Sequence, residues 1–426
     1  MTYNEALDYI HSLYWRGKKS GLEKTKELLD LCGHPERELR CIHIAGTNGK
    51  GSTAAMLDSI CRCTGMKTGL YTSPYIVRYN ERIQADGQQI PDDTLARLTE
   101  YLAGLVELME VPPSEFEFGT VLAFLYFKEQ KCDLVILETG LGGTFDSTNV
   151  VEQPLMCIIT ALGLDHTAQL GNTMKAIAEA KAGIIKTGVS VVFYGENRDG
   201  EAVVQERCKE CNASLAMPDF TKLVSERVGT VFECQTFSYK GWEHTELSLP
   251  GLYQQKNAAV VLEAVEQLRM QGIVISDEAV RKGLRTVYWQ ARLEVLHEEP
   301  LLLADGSHNP QGMQATVESL KHYFPDRKLN FIFGAMADKE LDVMIPMFLP
   351  LAKKVYITAP SMPRAMKPEE LLAVCKEYCS ESEAPEFVVC SQVAEAISLA
   401  GQEEKDEIIV AIGSLYLVGE IKQVSA

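Results

Sequence analysis

The stretch RCIHIAGTNGKGST, residues 40–53, determines how the rest of the sequence is interpreted. Its first six residues, RCIHIA, are mostly apolar and predict a short buried strand, and a helical pattern begins at Thr53. The residues between them that can carry chemistry are Gly46, Gly49, Lys50, Gly51 and Ser52. Glycines let backbone N–H groups turn towards an anion, a helix N-terminus favours negative charge, and lysine adds a positive charge. The stretch therefore predicts a phosphate-binding loop whose serine can reach a Mg²⁺ ion.

The spacing of this loop differs from the common GxxxxGK[ST] pattern. Only Thr47 and Asn48 separate its first two glycines, and Gly51 intervenes between the lysine and the serine. A glycine-rich turn that binds nothing is the alternative interpretation. The surrounding sequence is needed to choose between this turn and a phosphate-binding loop.

Length and composition limit the class of protein. A chain of 426 residues favours two domains, and 46% hydrophobic with 23% charged residues is ordinary globular composition. The net charge of −18 argues against a nucleic-acid or anionic-membrane partner. Twelve scattered cysteines, an acidic N-terminal segment and the lack of a long apolar run favour a reducing compartment. We therefore expect a cytoplasmic monomer that acts on small molecules.

Apolar runs alternate with helical patterns in the first part of the sequence. The runs after the opening strand are residues 67–72, 133–137, 155–160 and 189–194. This alternation predicts an α/β fold with a mostly parallel sheet, in which ligands bind beyond the carboxyl ends of the strands. The polar residues that follow these strands are Lys50, Ser73, Glu138 and His166. We expect them to lie at one edge of the sheet.

A second α/β series begins near residue 295. Its apolar runs are residues 301–305, 329–334, 354–359, 386–390 and 407–413. The sequence thus predicts a P-loop-type domain over residues 1–290 and a smaller, Rossmann-like domain over residues 291–426. Residues 220–249 predict a small antiparallel excursion, and residues 4–32 predict helix with a break between Gly17 and Gly21.

Several residues near the predicted strand ends have a chemical and a structural interpretation. Glu138 could bind Mg²⁺ or cap a helix, and His166 could be a second ligand or an ordinary histidine. Lys181 lies on a predicted helix, where a lysine is normally solvated. Asp146 and Asn149 could contact a substrate or only shape a turn.

The same choice applies further along the chain. Asn257 could contact a nucleotide or begin a helix, and Arg292 could clamp phosphate with its planar guanidinium group. Asp305 and His308 could bind a ligand or form a turn before a proline-initiated helix. The cysteine pair at residues 208–211 has metal-site spacing but no second pair, which favours chance. Together these residues indicate a two-domain enzyme that binds a Mg-nucleotide at the domain interface.

The motifs follow one another in a specific order. They are GTNGKGS at 46–52, TSP at 72–74, NERI at 80–83, ETGLGGTFDSTN at 138–149, LDH at 164–166, KAGIIK at 181–186, RLE at 292–294, DGSHNP at 305–310 and FGAMADK at 333–339. In this order they resemble the folylpolyglutamate synthase family of ATP-dependent ligases, which is related to the muramyl amino-acid ligases. Each motif is modest alone, but the ordered set is specific and spans nearly the whole chain.

The resemblance implies a role for each candidate residue. The residues implied to hold ATP are Gly46, Thr47, Asn48, Gly49, Lys50, Gly51, Ser52, Asn257, Arg292, Asp305 and His308. The residues implied to surround Mg²⁺ are Ser73, Glu138 and His166, and those on the pterin side are Arg82, Phe116 and Asp146. Lys181 matches a lysine that is carbamylated in this family, which would turn its cationic amine into an anion. Lys50, Glu138, His166 and Lys181 are thus the implied catalytic residues.

The resemblance also implies a reaction, in which ATP activates the γ-carboxylate of a folate for attack by L-glutamate. Dihydropteroate as acceptor, alone or in addition, is the nearest alternative, and a muramyl ligase or a nucleotide-dependent switch protein is more distant. The sequence departs from the family at Tyr75, Ala180 and Ser307, and at Gln290-Ala291 in place of Pro-Gly. None of these departures removes a proposed ligand.

Overall fold

The computed structural model describes residues 1–13, 21–379 and 384–425. They form two compact units, of which the first comprises Met1–Val224, Tyr239–Thr245 and Lys256–Val287. The second comprises Ser225–Ser238, Glu246–Gln255 and Tyr288–Ala426. The predicted helix break between Gly17 and Gly21 lies almost wholly outside the described residues.

The first unit is built on a sheet with the strand order β4-β3-β2-β5-β1-β6-β7-β8. Its strands are β1 (Cys41–Ala45), β2 (Thr68–Tyr71), β3 (Ile83–Ala85), β4 (Gln88–Gln89), β5 (Leu134–Glu138), β6 (Met156–Ile159), β7 (Ser190–Phe193) and β8 (Ser214–Ala216). The pairs from β2 to β8 are parallel, and only β3 and β4 add antiparallel pairings at one edge. The predicted α/β class with a mostly parallel sheet is therefore confirmed.

Strand β1 lies between β5 and β6, and each of its residues is buried. In register, Ile44 pairs with Glu138 of β5 and with Ile158 of β6. Because parallel strands end at the same edge, this register brings the end of β5 beside the loop that follows β1.

Helices surround this sheet and continue into the second part of the chain. They are α1 (Tyr3–Ser12), α2 (Glu23–Cys32), α3 (Lys50–Cys63), α4 (Asp92–Val106), α5 (Glu115–Glu129), α6 (Thr167–Leu170), α7 (Met174–Ala182), α8 (Arg198–Glu210), α9 (Tyr253–Met270) and α10 (Asp277–Thr286). Helices α3 and α10 approach closely at Gly283, where an added Cβ would lie 2.6 Å from Ile60 Cα. The hydroxyl of Ser59 donates to the Gly283 carbonyl at 2.8 Å.

A three-stranded sheet occupies the segment where an antiparallel excursion was predicted. Its strands are β9 (Leu223–Arg227), β10 (Gln235–Tyr239) and β11 (Trp242–Leu247), in the order β11-β10-β9. Lys240 and Gly241 join β10 to β11, and both have positive φ. Two-residue connections of this kind are typical of β-hairpins.

The second unit contains a sheet with the strand order β12-β13-β17-β14-β15-β16. Its strands are β12 (Glu294–Glu298), β13 (Leu301–Ala304), β14 (Leu329–Phe333), β15 (Ala352–Ile357), β16 (Glu386–Val389) and β17 (Ile408–Ile412). Its helices are α11 (Pro310–Tyr323), α12 (Leu341–Phe348), α13 (Pro368–Glu377), α14 (Val393–Ala400) and α15 (Leu415–Ser425). All pairs are parallel except β12 with β13, and the five predicted strands are all present.

Candidate functional site

The glycine-rich loop after β1 is shaped by two close approaches. Gly46 has φ +153°, and a Cβ there would lie 1.8 Å from Thr160 Oγ1. Gly49 has φ +87°, and its Cβ would lie 2.7 Å from Asn257 Oδ1. Both positions therefore require glycine, and the Asn257 side chain lies against the loop, as a nucleotide-contacting residue there would.

The loop is held in place by contacts with the segment that follows β6. The N–H groups of Thr47 and Asn48 donate to the Ala161 carbonyl at 2.9 and 3.2 Å. The Thr47 hydroxyl donates to the Gly163 carbonyl at 2.9 Å. These two amides are thus engaged within the protein, whereas N–H groups in the first turn of α3, which begins at Lys50, have no acceptor within the helix. The start of α3 is the best-placed part of the loop for an anion.

Two lysine amines converge on the Gly46 carbonyl. Lys50 Nζ lies 3.1 Å from the Gly46 oxygen, and Lys181 Nζ, near the end of α7, lies 2.7 Å from it. Lys181 is only 4% exposed, so the ordinary solvated position of a helical lysine does not apply. Burial, together with the charge of Lys50, lowers the pKa of Lys181 to about 7, against the opposing effect of two nearby aspartates. A substantial fraction of this amine is therefore uncharged at neutral pH.

Two of the three proposed metal ligands lie together at the end of β5. Glu138 is the last residue of β5, is buried, and accepts a hydrogen bond from Ser73 N–H at 3.2 Å. His166 precedes α6 with φ +51°, its side chain is 43% exposed, and its Nε2 lies 4.0 Å from Asp165 Oδ2. The structure thus brings Ser73 and Glu138 together, and places His166 beside a further carboxylate.

A Mg²⁺ ion fits the chemistry of the buried Glu138 carboxylate, beside which the Ser73 backbone lies. Mg²⁺ prefers oxygen ligands and usually keeps waters or substrate phosphates beside one or two carboxylates. Across the described ranges, no three His, Cys, Asp or Glu side chains converge into a metal cluster. A single buried carboxylate beside the glycine-rich loop matches a Mg²⁺ site that is completed by waters or substrate phosphates. It does not match a site formed by protein ligands alone.

Arg82 and Phe116, two of the three residues predicted on the acceptor side, each contact aromatic side chains of the same hydrophobic cluster. The Arg82 guanidinium lies 5.1 Å from the Tyr75 ring centroid and 5.4 Å from that of Tyr79. Its Nη2 lies 3.6 Å from Glu115 Oε1, next to Phe116 in the chain. The Phe116 ring also contacts the glycine-rich segment after β5, since a Cβ on Gly140 would lie 2.6 Å from Phe116 Cζ.

Asp146 lies in the same segment and is almost fully enclosed. Its carboxylate accepts hydrogen bonds from Leu141 N–H at 2.8 Å, Thr148 N–H at 3.0 Å and the Thr148 hydroxyl at 2.5 Å. Burial raises the pKa of Asp146, and these hydrogen bonds oppose the shift. Asp146 thus caps the short turn at residues 147–150, and its contact with a substrate stays a prediction.

In the second unit, the predicted residue Arg292 lies on a strained loop. Its neighbours Ala291 and Leu293 have φ of +56° and +46°, values that L-residues rarely adopt. Asp305 holds this loop, because its Oδ2 accepts from Leu293 N–H at 3.0 Å. The structure therefore brings Asp305 next to Arg292, and His308 follows with its Nδ1 2.8 Å from the Gly306 carbonyl oxygen.

The sequence interpretation missed several residues that shape these sites. Glu294 accepts from Ala291 N–H at 2.8 Å and from Lys422 Nζ at 2.7 Å, so it braces the Arg292 loop. His43 and Thr148 lie behind Asp146, with 2.7 Å between His43 Nε2 and Thr148 Oγ1. A titratable histidine inside the apolar run CIHIA was a visible signal, whereas nothing in the sequence marked Lys422.

Two remaining sequence predictions concern cysteines and membranes. Cys208 and Cys211 pack in a hydrophobic cluster with Cys157, so they lie in the core of the first unit. Among the described helices, none is long and apolar enough to span a membrane.

Two family models match the chain. The Mur ligase middle domain matches residues 44–265, and the glutamate ligase domain of the Mur ligases matches residues 291–415. Both matches define a Mur-type ligase, and together they contain most of the residues discussed above.

Individual relatives narrow the class. The dihydrofolate synthase/folylpolyglutamate synthase of Bacillus subtilis is 37% identical over 99% of this chain and 98% of that protein. The structure of Mycobacterium tuberculosis folylpolyglutamate synthase complexed with ADP and AMPPCP has a TM-score of 0.89 and 28% identity over 100% of this chain and 99% of that chain. The structure of Escherichia coli FolC in complex with DHPP and ADP has a TM-score of 0.85 and 27% identity over 100% of this chain and 97% of that chain. This chain therefore belongs to the folylpolyglutamate synthase and dihydrofolate synthase family of Mur ligases.

Proposed function

We propose that this protein is an ATP-dependent amide ligase that adds L-glutamate to the γ-carboxylate of a folate, tetrahydrofolate or folylpolyglutamate. The observation that carries the proposal is the preformed phosphate loop with two lysine amines on the Gly46 carbonyl, next to the buried carboxylate Glu138. The full-length match to ligases of this specificity supports it.

The proposed reaction first gives the acceptor carboxylate a good leaving group. A carboxylate resists attack by an amine, so its oxygen first takes the γ-phosphoryl group of ATP, which releases ADP and gives an acyl phosphate. The glutamate nitrogen then forms a bond to the acyl carbon, inorganic phosphate leaves, and the amine loses its proton. Alignment of the two substrates and neutralisation of the phosphoryl charge supply the catalysis.

We assign the phosphates of ATP to the loop at residues 46–52, with Lys50 as a cation that binds them. Asn257 contacts the nucleotide from beside Gly49, and Arg292, Asp305 and His308 contribute to nucleotide binding from the second unit. Ser73, Glu138 and His166 would hold Mg²⁺, which when bound would neutralise phosphoryl charge. Arg82, Phe116 and Asp146 bind the acceptor, Arg82 by charge and Phe116 by packing against a ring.

Lys181 suits a covalent modification by CO₂. Its near-neutral pKa provides the uncharged amine that attacks CO₂, with loss of one proton and formation of a carbamate. We propose that the carbamate supports the metal site. Protein loaded with ¹³C-bicarbonate should show a carbamate carbon signal that is lost in Lys181→Met, and a persistent signal in that variant would contradict the assignment.

The domain organisation follows the same proposal. Residues 1–290 form the ATP-binding domain, and residues 291–426 form the glutamate-ligase domain, with the family matches on either side of this boundary in support. We further propose a cytoplasmic monomer, and the twelve cysteines scattered through the sequence favour a reducing compartment.

Dihydropteroate is the second candidate acceptor. The Bacillus subtilis relative carries both activities in its name, and the Escherichia coli structure holds DHPP with ADP. The two reactions differ only in whether the acceptor already carries a glutamate, so one acceptor site could serve both.

The decisive experiment is a product profile with purified protein. ATP, L-glutamate and either tetrahydrofolate or dihydropteroate are supplied, and ADP release and product mass are measured. We expect glutamate-dependent ADP release that Lys50→Ala abolishes and that the exposed-lysine control Lys405→Ala retains. Full turnover in folded Lys50→Ala, or ADP release without glutamate incorporation, would overturn the proposal.

A further inference from the structure

A chain of three polar side chains connects strand β1 to the carboxylate of Asp146. His43, in the middle of β1, is fully buried, and its Nε2 lies 2.7 Å from Thr148 Oγ1. The same hydroxyl lies 2.5 Å from Asp146 Oδ1. None of the motifs that suggested the ligase activity accounts for a histidine at this position.

The direction of each hydrogen bond in this chain is determined. Asp146 accepts from the N–H groups of Leu141 and Thr148, so its carboxylate acts as an acceptor. A hydroxyl has one proton, and that of Thr148 goes to Asp146. His43 Nε2 must therefore be the donor to Thr148.

The surroundings of His43 support this assignment. Burial lowers the pKa of His43 to about 3, with a smaller contribution from Lys186, so the ring is neutral. Its Nδ1 is buried without a hydrogen-bond partner among the described residues, as expected for the unprotonated nitrogen. Of the two neutral forms of the ring, only the one with its proton on Nε2 can donate a hydrogen bond to the Thr148 hydroxyl.

We propose that His43 and Thr148 are positioning residues that orient the Asp146 carboxylate towards an N–H donor on the heterocycle of the acceptor. This inference rests on the proposed function, since it takes Asp146 as an acceptor contact. Thr148 occupies Oδ1 through both its N–H and its hydroxyl, while Oδ2 accepts from Leu141 N–H, and the Gly140 backbone also stabilises the carboxylate; we assign Oδ2 as the oxygen that accepts from the ligand. The hydroxyl thereby selects which oxygen faces the acceptor.

A purely structural role makes a different prediction. Loss of packing or of a buried hydrogen bond would weaken all substrates or lower stability, whereas a positioning role acts on the acceptor alone. Thr148→Val removes the hydroxyl while the backbone N–H bond to Asp146 remains, and Thr148→Ser retains the hydroxyl. Thr99→Val is the matched control, because Thr99 is also fully buried and its hydroxyl has no partner among the described residues.

The test compares steady-state constants for the three substrates in the four proteins. Thr148→Val should raise KM for the acceptor about tenfold, the effect of losing one hydrogen bond to a charged group. KM for ATP and for glutamate should stay within about twofold, and Thr148→Ser and Thr99→Val should behave like the wild type. Unchanged acceptor KM in Thr148→Val, or parallel rises for ATP and acceptor, would overturn the inference.

A second measurement does not depend on activity. The ¹⁵N chemical shifts of His43 should show the Nε2-protonated neutral ring in the wild type and should change in Thr148→Val but not in Thr99→Val. A charged ring, or an Nδ1-protonated one, would overturn the inference whatever the enzyme assays give. Wild-type protein with the expected histidine signal but no acceptor-dependent ADP release would instead contradict the proposed function.

Discussion

The side-chain amine of Lys181 lies 2.7 Å from the main-chain carbonyl oxygen of Gly46, which joins the end of α7 to the phosphate loop. Lys50 approaches the same carbonyl, so two amines that are both cationic in water share one acceptor. Burial lowers the pKa of Lys181, and the nearby charge of Lys50 adds to the shift, because both disfavour the charged amine. A titratable amine, that of Lys181, thus contacts the loop.

This arrangement predicts how stability depends on pH. The unfolded chain holds the Lys181 proton up to its ordinary pKa of 10.5, whereas the folded chain releases it near pH 7. Between these values unfolding takes up a proton, so the free energy of unfolding rises with pH by up to about 1.4 kcal/mol per pH unit. Below pH 7 Lys181 is protonated in both the folded and the unfolded chain, so the full cost of burying its charge lowers the free energy of unfolding.

Lys181→Met should therefore flatten the rise in unfolding free energy between about pH 7.5 and about pH 8.5, as measured by urea denaturation. Lys175→Met, on the same helix but 73% exposed, serves as the control and should retain the wild-type slope. Equal slopes in all three proteins would show that Lys181 keeps an ordinary pKa.

Glu138→Gln should raise the Mg²⁺ concentration needed for half-maximal activity by about tenfold, because a neutral amide is a weaker ligand for a hard cation. Ser73 N–H can still donate to the amide oxygen, so the local fold should persist. Titration of activity with Mg²⁺ measures the effect, with exposed Glu129→Gln as the control. A lower maximal rate at an unchanged Mg²⁺ requirement would argue against Glu138 as a ligand.

Lys422→Met should weaken ATP binding through the Arg292 loop. The Lys422–Glu294 pair is 2.7 Å long and largely shielded, with side-chain exposures of 19% and 10%, and Glu294 holds Ala291 N–H. We expect a several-fold higher KM for ATP and a loss of about 1–3 kcal/mol in stability. Lys422→Arg should restore most of the ATP affinity and most of the stability.

The control for this prediction is the exposed pair Lys405–Glu299. Its side chains are 85% and 67% exposed, so Lys405→Met should change stability by less than about 0.5 kcal/mol. If Lys422→Met matched this control in both stability and KM for ATP, the brace would have no role in nucleotide binding.

Two glycines of the first unit should respond to alanine in opposite directions. Gly283→Ala places a Cβ 2.6 Å from Ile60 Cα, and backbone cannot move aside cheaply, so we expect a loss of about 2 kcal/mol or more. Gly104 lies within α4 with nothing inside 4 Å of its Cβ position, so Gly104→Ala should gain about 0.5–1 kcal/mol. Thermal unfolding of both variants provides the measurement, and a stable Gly283→Ala would mean that α3 and α10 can separate.

Much of the fold was predictable because buried parallel strands are continuous apolar runs. Leu134–Glu138 and Ile408–Ile412 are fully buried and were predicted almost to the residue. The missed strands are short or polar. Gln88–Gln89 is exposed on both residues, and Glu294–Glu298 mixes charged and apolar residues beside a single antiparallel partner, so neither shows a usable period.

The site was predictable only where strand ends identify it. Glu138 ends one strand and Ser73 follows another, and the two strands lie side by side in the sheet, so the topology brings the two residues together. Lys181 is different, because its burial depends on how α7 packs against the loop, which no local pattern encodes. His43 and Thr148 are 105 residues apart, and their contact depends on the conformation of the turn after Asp146.

Strand β1 ends at Ala45, directly before the first glycine of the phosphate loop, and carries His43 two residues earlier. One rigid segment thus supports both the proposed phosphoryl-donor site and the proposed acceptor carboxylate. The distance between the two proposed binding sites is then set by the fold and does not depend on a mobile segment. A compound that tethers an acceptor analogue to a nucleotide should accordingly show a sharp optimum in tether length, with affinity falling on either side of it.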